Sequence, residues 1–227
     1  MTATAETPVL PAHLRENVHL LPQTPLLRAL HTIIRDRDVP RDQFVFHADR
    51  IIRMLLDAAL DLLPFEPHQV RTPVGHVYEG LRFAERVCGV SVVRAGESME
   101  AGLRAVLPPV RIGKILIQRD KETVQPHLYY TKLPADIAER NVLLLDPMLA
   151  TAGTARMAVQ VLLDHGVPEE RIVFVNLLTA PEGIAALCDA HPRLRLVTSS
   201  IEQRLNENSY MLPGIGDFGD RYFGTDR

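Results

Sequence analysis

Apolar positions divide the chain into an N-terminal helical part and a longer part that contains strand-like segments. Thr24 and Pro25 predict an N-cap followed by proline at the first helical position. Apolar residues at helical spacing extend this first helix to about Arg37. A second helix is predicted over 51–63, because its apolar residues repeat with the same period and Pro64 stops it.

Short apolar runs rich in β-branched residues begin only after these two helices. The predicted strands cover residues 87–93, 112–117, 142–145, 172–178 and 194–198. Helical patterns lie between several of them, over residues 97–107, 154–165 and 181–190. Strands that are apolar on both faces and alternate with helices predict an α/β fold with a largely parallel central sheet flanked by helices.

Two segments do not fit this alternation. Residues 119–134 are polar and include Tyr129 and Tyr130, so we expect a projecting hairpin or a mobile flap there. Residues 1–18 show no periodicity and predict a flexible N-terminal arm. Because no repeat or linker divides the remainder, residues 19–227 are expected to form a single domain.

Composition and charge exclude several classes of function. The net charge is −3 and no Lys/Arg block is present, which argues against a nucleic-acid partner. No apolar stretch reaches the length of a membrane span, and the N-terminus does not resemble a signal peptide. Cys88 and Cys188 are far apart in apolar contexts and are expected to be core residues, and the histidines show no metal-ligand spacing. These features predict a soluble, cytoplasmic protein without a protein-held metal.

The segment 141–155 has the most informative chemistry. A buried strand ends in the carboxylate of Asp146, and a loop of small and hydroxyl residues leads to a helix that opens at about Thr154. Backbone N–H groups of such a loop and helix start bind phosphate, with Thr151 as a further donor and Gly153 allowing close approach. Asp146 lies where ligands bind in open parallel sheets and could accept hydrogen bonds from sugar hydroxyls. An ordinary turn in which a threonine caps the helix explains the same pattern about equally well.

Four stretches of the chain together resemble the type I phosphoribosyltransferases, and the uracil phosphoribosyltransferase branch in particular. The acid at 146 with Thr-Ala-Gly-Thr at 151–154 resembles the superfamily signature for a ribosyl diphosphate. Proline at 147, where most of the superfamily has a second acid, resembles the uracil enzymes. The other matching stretches are 92–97, 111–120 and 213–225. The resemblance implies a type I phosphoribosyltransferase fold and an enzyme that converts uracil and 5-phospho-α-D-ribose 1-diphosphate (ribosyl diphosphate below) to UMP and diphosphate.

The same resemblance implies roles for individual residues. Arg94 and Arg119 are expected to contact the diphosphate, and Asp146 the ribose. The residues expected to bind ribosyl diphosphate are Arg94, Arg119, Asp146, Pro147, Met148, Leu149, Ala150, Thr151, Ala152, Gly153, Thr154 and Asp217. The residues expected to hold uracil are Met211, Gly216, Asp217 and Phe218. The residues expected to be catalytic are Asp146, Arg119 and Asp217.

The family also implies Mg²⁺ brought in with the diphosphate, a homodimer or higher homo-oligomer, and in some members activation by GTP. Three positions depart from its common pattern. Ala152 replaces a glycine, with little expected effect. Phe218 replaces a small residue, and Val74 replaces a threonine. Two alternatives stay open: a non-catalytic nucleotide-sensing regulator on the same fold, and a phosphoribosyltransferase for another base.

Overall fold

The computed structural model describes residues 16–119 and 126–225, together with Pro11 and Leu14. Its elements, in chain order, are β1 (Val18–Leu20), α1 (Pro25–Arg35), α2 (Arg41–Asp61), β2 (Phe65–Arg71), β3 (Val77–Phe83), β4 (Val87–Val93), α3 (Glu100–Val106), β5 (Arg111–Arg119), β6 (Pro126–Lys132), β7 (Asn141–Leu145), β8 (Met148–Leu149), α4 (Gly153–Asp164), β9 (Ile172–Thr179), α5 (Pro181–Ala190), β10 (Arg195–Ile201), β11 (Arg204–Leu205), β12 (Met211–Leu212) and α6 (Phe218–Phe223).

The main sheet confirms the predicted fold class. Its strand order is β1-β10-β9-β7-β4-β5-β6, and β8 pairs with β9. Neighbouring strands from β1 through β5 in this order are parallel, and β6 joins β5 antiparallel at the edge. The parallel order matters for function, because the carboxyl ends of all these parallel strands lie along one edge of the sheet.

Apolar side chains on both faces of the sheet create two separate cores. Leu143 and Leu145 on β7 face the core that contains α1 and α2. Val142 and Leu144, on the opposite face of the same strand, pack with α4. This alternation is the period-2 geometry of a strand. It explains why the central strands have continuously apolar sequences.

The first helix is as predicted and the second is longer. The Thr24 hydroxyl accepts a hydrogen bond from the Leu27 N–H at 3.2 Å, which confirms the N-cap. Helix α2 begins ten residues before the predicted start, because Phe44 and Ala48 extend its buried stripe through an otherwise polar stretch. The left-handed turn at Gly166, with φ of +83°, ends α4.

The expectation that no strand precedes residue 87 is wrong. Residues 65–83 form an antiparallel hairpin of β2 and β3, apart from the main sheet. Its residues are mostly exposed on both faces, so the sequence has no apolar alternation to reveal it. Val74 is in the hairpin turn and is 81% exposed. Strand β1 was also missed, and its Val18 belongs to the segment that we expected to be a flexible arm.

The hairpin expected within 119–134 is formed in part by β5 and β6, and residues 120–125 lie outside the described residues. The closing motion of a flap stays a prediction.

Cys88 and Cys188 are free and buried, as expected. None of the described helices is long and apolar enough to cross a membrane. Within the same residues, no group of three or more His, Cys, Asp or Glu side chains is placed to hold a metal ion.

Candidate active site

Side chains implicated by the sequence follow the carboxyl ends of neighbouring parallel strands. Arg94 follows β4, Asp146 follows β7, and Arg119 is the last residue of β5. The side chain of Arg119 lies outside the described part of the chain, so its contact with the diphosphate stays a prediction. Since β4 is the neighbour of both β5 and β7, the fold brings all three positions to one end of the sheet.

A glycine lets the loop after β4 pack closely against the end of β7. A Cβ atom on Gly96 would lie 2.1 Å from the backbone oxygen of Leu145, which no side chain can tolerate. The segment that carries Arg94 is therefore held directly beside the strand end that carries Asp146.

The loop after β7 leads to a helix N-terminus whose N-cap residue, within the described part of the chain, is not a threonine. Helix α4 begins at Gly153, and its N-cap residue is Ala152, with φ of +65°; within the described residues it has no side-chain capping bond. The alternative of an ordinary threonine cap is therefore not what the structure shows. The first N–H groups of an α-helix have no partner within the helix, so this start is suited to an anion.

The loop is supported from below by the sheet. The backbone oxygen of Pro147 accepts hydrogen bonds from the N–H groups of Leu177 and Leu178 at 3.0 and 2.9 Å. The side chains of Leu149 and Ala152 are buried. These two residues can therefore meet a ligand only through their backbone, whereas Thr151 and Thr154 are partly exposed.

Asp146 is half-buried at the base of this loop. Burial raises the pKa of its carboxyl to about 7, and a hydrogen bond from the backbone N–H of Met148 lowers it by less. Near neutral pH the group thus carries less negative charge than a surface aspartate, which reduces repulsion of a phosphorylated ligand.

A cavity of about 370 Å³ lies between the glycine-rich C-terminal segment and the loop after β7, whose residues 150–154 are called the phosphate loop because a phosphate is predicted to bind there. This volume is within the usual range for small-molecule sites, about 300–1,000 Å³. The lining residues are Ala95, Met148, Ala150, Ser209, Tyr210, Met211, Gly214, Ile215, Gly216, Asp217, Phe218 and Gly219. All four residues predicted to hold the base are among them. The cavity also includes Met148 and Ala150 of the predicted ribosyl-diphosphate set.

The Phe218 ring is buried in the core, so it does not stack on a ligand in this cavity. It is only 1% exposed, and its ring packs against those of Phe44 and Tyr222 with centroids 5.6 and 5.5 Å away. Its ring therefore anchors the loop in the core, and the backbone is the part left to face a base.

The C-terminal segment also holds Arg94. The Arg94 guanidinium donates hydrogen bonds to Asp220 at 2.9 Å and to the Thr225 hydroxyl at 2.6 Å, and Asp217 lies 3.7 Å away. Hydrogen bonds from Thr225 and Arg94 lower the pKa of Asp220. Asp217 in turn caps α6 by accepting the N–H of Asp220 at 2.8 Å. The predicted diphosphate and base residues thus share one hydrogen-bonded cluster.

Residues 214–218, which include three of the predicted base residues, are called the base loop. Sequence reasoning missed the residues that bind the backbone of this loop on the side away from the cavity. Arg35, Glu202 and Arg221 bind backbone groups of residues 214 and 215. Neither Arg35 nor Glu202 lies in a sequence motif that could have indicated this role. Arg221 did lie within the matching stretch 213–225, where an arginine amid glycines and aspartates was the available signal.

The parallel sheet, with a loop and helix start after β7, defines the class of protein as a type I phosphoribosyltransferase fold. The solved adenine phosphoribosyl transferase of Trypanosoma brucei superposes with a TM-score of 0.56 at 16% identity, covering 88% of each chain. At that identity the likeness shows the fold alone.

Closer relatives define the family. The sequence model of the uracil phosphoribosyltransferase family matches residues 21–225. The chain is 57% identical to a uracil phosphoribosyltransferase of Dictyostelium discoideum, over 93% of this chain and 98% of that protein. It is 54% identical to the enzyme of Saccharomyces cerevisiae, over 92% and 96% of the two chains. A solved Aquifex aeolicus protein superposes with a TM-score of 0.82 at 30% identity, over 92% and 99%. The chain belongs to the uracil phosphoribosyltransferase family.

Proposed function

We propose that the cavity joins uracil to ribosyl diphosphate, forming UMP and releasing diphosphate. A ring nitrogen of uracil forms a bond to the anomeric carbon while the bond from that carbon to the diphosphate oxygen breaks. The diphosphate leaves with the bonding electron pair, and the proton of the ring N–H is released to water. One observation supports this most directly: Met148 and Ala150 of the loop after β7 line the same cavity as all four predicted base residues.

The phosphate loop is suited to the 5-phosphate. We assign this group to Ala150 to Thr154, because the loop and the start of α4 present backbone N–H groups beside hydroxyl side chains. Asp146 would accept hydrogen bonds from the ribose hydroxyls. The 5-phosphate is remote from the reacting bond, so gripping it fixes the orientation of the anomeric carbon.

Negative charge develops on the departing diphosphate. Arg94, already fixed by Asp220 and Thr225, would meet this charge with little reorganisation, and Arg119 is proposed to add a second donor. Asp217 is positioned 3.7 Å from Arg94 and is assigned to the ribosyl side of the reaction. No nucleophilic side chain is required.

Mg²⁺ fits this site as a companion of the substrate. The described residues hold no cluster of carboxylates for a protein cage, and Mg²⁺ is commonly bound through one or two carboxylates plus substrate phosphates. Asp146 and Asp217 are the carboxylates that would approach it. When bound, the ion would neutralise part of the charge of the diphosphate.

The β5–β6 hairpin is proposed to close over the diphosphate. Its second strand begins at Pro126, whose ring would lie 3.9 Å from a Cβ atom on Gly153, the first residue of α4. Hydrogen exchange over 119–134, with and without ribosyl diphosphate and Mg²⁺, tests this. Increased protection is expected on binding, and unchanged protection would rule out a closing flap.

The exposed apolar surface of the β2–β3 hairpin supports the proposal that the protein forms a homodimer or a higher homo-oligomer. Six of its residues are large, apolar and at least 40% exposed: Phe65, Val70, Val74, Val77, Tyr78 and Leu81. A second copy of the chain is the proposed cover for this surface. Light scattering of the purified protein tests it, and a monomer at micromolar concentration would contradict it. Activation by GTP stays a proposal that rests on the resemblance, and a cytoplasmic location stays a proposal that rests on the composition of the sequence.

One assay tests the central proposal. The protein is incubated with ribosyl diphosphate, Mg²⁺ and each common base, and the nucleotide formed is identified. UMP as the main product is expected. A product from another base would favour the alternative specificity, and no product from any base would favour a non-catalytic regulator.

A further inference from the structure

Arg35 and Glu202 form an ion pair behind the wall of the base cavity. Arg35 is the last residue of α1, and Glu202 directly follows β10. The two guanidinium nitrogens donate to the two carboxylate oxygens at 2.9 and 2.6 Å, in a bidentate arrangement. The Glu202 side chain is 1% exposed and that of Arg35 is 22% exposed, so the carboxylate is buried beneath a partly exposed guanidinium.

This pair binds both backbone groups of one glycine. Arg35 donates to the backbone oxygen of Gly214 at 3.0 Å, and the N–H of Gly214 donates to Glu202 at 2.7 Å. A peptide segment held at both its N–H and its C=O cannot rotate without breaking a charge-assisted hydrogen bond.

Gly214 also has a left-handed backbone conformation in a crowded position. Its φ is +68°, and a Cβ atom there would lie 2.3 Å from the backbone oxygen of Met211. Gly214 lines the base cavity together with Met211 and Gly216. Its orientation therefore decides where the neighbouring backbone donors and acceptors face.

We infer that Arg35 and Glu202 are positioning residues for base recognition, which set the backbone of residues 214–216 in the orientation that reads the pyrimidine edge. The inference rests on the proposed function of this cavity. Neither side chain lines the cavity, so both act through Gly214 rather than on the base itself.

A second ion pair offers a matched control. Arg140 binds Asp136 with two nitrogens at 2.8 and 2.7 Å, and Arg140 is 6% exposed. This pair lies just before β7, at the opposite end of that strand from Asp146. Arg35→Lys and Arg140→Lys thus each remove a bidentate arginine–carboxylate contact, through Nη1 and Nη2 in Arg35 and through Nε and Nη2 in Arg140, and only the first is next to the base loop.

Steady-state kinetics of both variants separate positioning from general stabilisation. For Arg35→Lys we expect the KM for uracil to rise about tenfold while the KM for ribosyl diphosphate changes less than about twofold. Arg140→Lys is expected to leave both KM values unchanged. Glu202→Gln keeps an acceptor oxygen for the Gly214 N–H, so its rise in the uracil KM should be smaller than that of Glu202→Ala.

An equal uracil KM in Arg35→Lys and Arg140→Lys would overturn the inference, as would a parallel rise of both substrate KM values in Arg35→Lys. If the variants do not fold, hydrogen exchange of the wild-type enzyme decides. The Gly214 amide should be protected without ligand, and exchange at the rate of an open loop would refute the inference. A wild-type enzyme that forms no UMP would contradict the proposed function instead, so the two failures are distinguishable.

Discussion

The phosphate end and the base end of the site are built in different ways. The phosphate end is one contiguous strand, loop and helix, from Asn141 to Asp164, supported by its neighbour β9. The proposed base end is a short glycine-rich loop whose backbone is bound by the distant Arg35 as well as by the nearby Glu202 and Arg221. Arg35 is 179 residues from Gly214, and Arg221 donates to the backbone oxygen of Ile34, 187 residues away. The first arrangement is local in sequence and the second is tertiary.

This difference suggests that the two ends perform different tasks. A phosphate dianion is recognised by N–H groups that a helix start supplies wherever the helix forms. A planar base must be distinguished from others of the same size, and this requires donors and acceptors fixed in direction. At the base end, charge-assisted hydrogen bonds from Arg35 and to Glu202 fix the direction of the Gly214 backbone groups.

Base choice is the strongest test of this view. Backbone N–H and C=O groups cannot exchange donor for acceptor, so cytosine would leave polar groups facing groups of the same kind, at a cost of about 1–3 kcal/mol each. We expect the specificity constant for uracil to exceed that for cytosine by roughly four orders of magnitude. A ratio within about tenfold, roughly 1.4 kcal/mol, would refute backbone readout.

Asp146 tests the phosphate end with the next largest effect. Asp146→Ala should fold but lose about 10²–10³ in turnover, because it removes the carboxylate proposed to bind the ribose hydroxyls. Turnover is measured at saturating substrates, with the circular dichroism spectrum as the control for folding. Near wild-type turnover would show that Asp146 has no functional role.

The conservative variant Asp146→Asn should reveal the stability cost of this carboxyl. Folding raises its pKa from the ordinary 3.8 to about 7, so the folded state binds more protons between these pH values. Wild-type stability therefore falls as the pH rises through this window. Because the amide cannot ionise, we expect Asp146→Asn to be more stable than the wild type by about 1–3 kcal/mol at pH 8, and by less at pH 5. Denaturant unfolding at both pH values measures this, and a constant difference would contradict the assigned pKa.

Two glycines allow a reciprocal test of the two ends. Gly214→Ala places a Cβ atom against the backbone of Met211 at a positive φ, so it should destabilise the fold by about 1–3 kcal/mol. It should also raise the KM for uracil by about tenfold, or roughly 1.4 kcal/mol. At Gly153 a Cβ atom meets no described atom closer than 3.9 Å. Gly153→Ala should therefore change stability by less than about 0.5 kcal/mol and raise the KM for ribosyl diphosphate instead. If both variants raised the same KM, the division into two ends would be wrong.

Ala152 carries the smallest expected effect. A non-glycine residue in the left-handed region costs about 1–2 kcal/mol, whereas glycine loses more backbone entropy on folding. Ala152→Gly is expected to stabilise the protein by about 0.5–1 kcal/mol. Its kinetic constants should match those of the wild type, because the Ala152 side chain is buried away from the cavity. Thermal unfolding with parallel kinetics measures both, and a lower melting temperature would contradict the argument.

The comparison also explains what the sequence could predict. Strand β7 and the loop after it were foreseen because burial, the acid and the helix start are all local patterns. The β2–β3 hairpin was missed because exposed residues on both faces leave no alternation. The pair of Arg35 and Glu202 was missed because its members are 167 residues apart, and each by itself is an ordinary charged residue.

The wide separation of Arg35 and Gly214 has a consequence for biosynthesis. At about 5–20 residues per second, the 179 residues between them take on the order of 10 to 40 seconds to translate. The phosphate loop leaves the ribosome well before the glycine-rich segment that completes the base pocket. A nascent chain can thus form the proposed anion site first, and the proposed base pocket is complete only when the segment around Gly214 returns to helix α1, which was made much earlier.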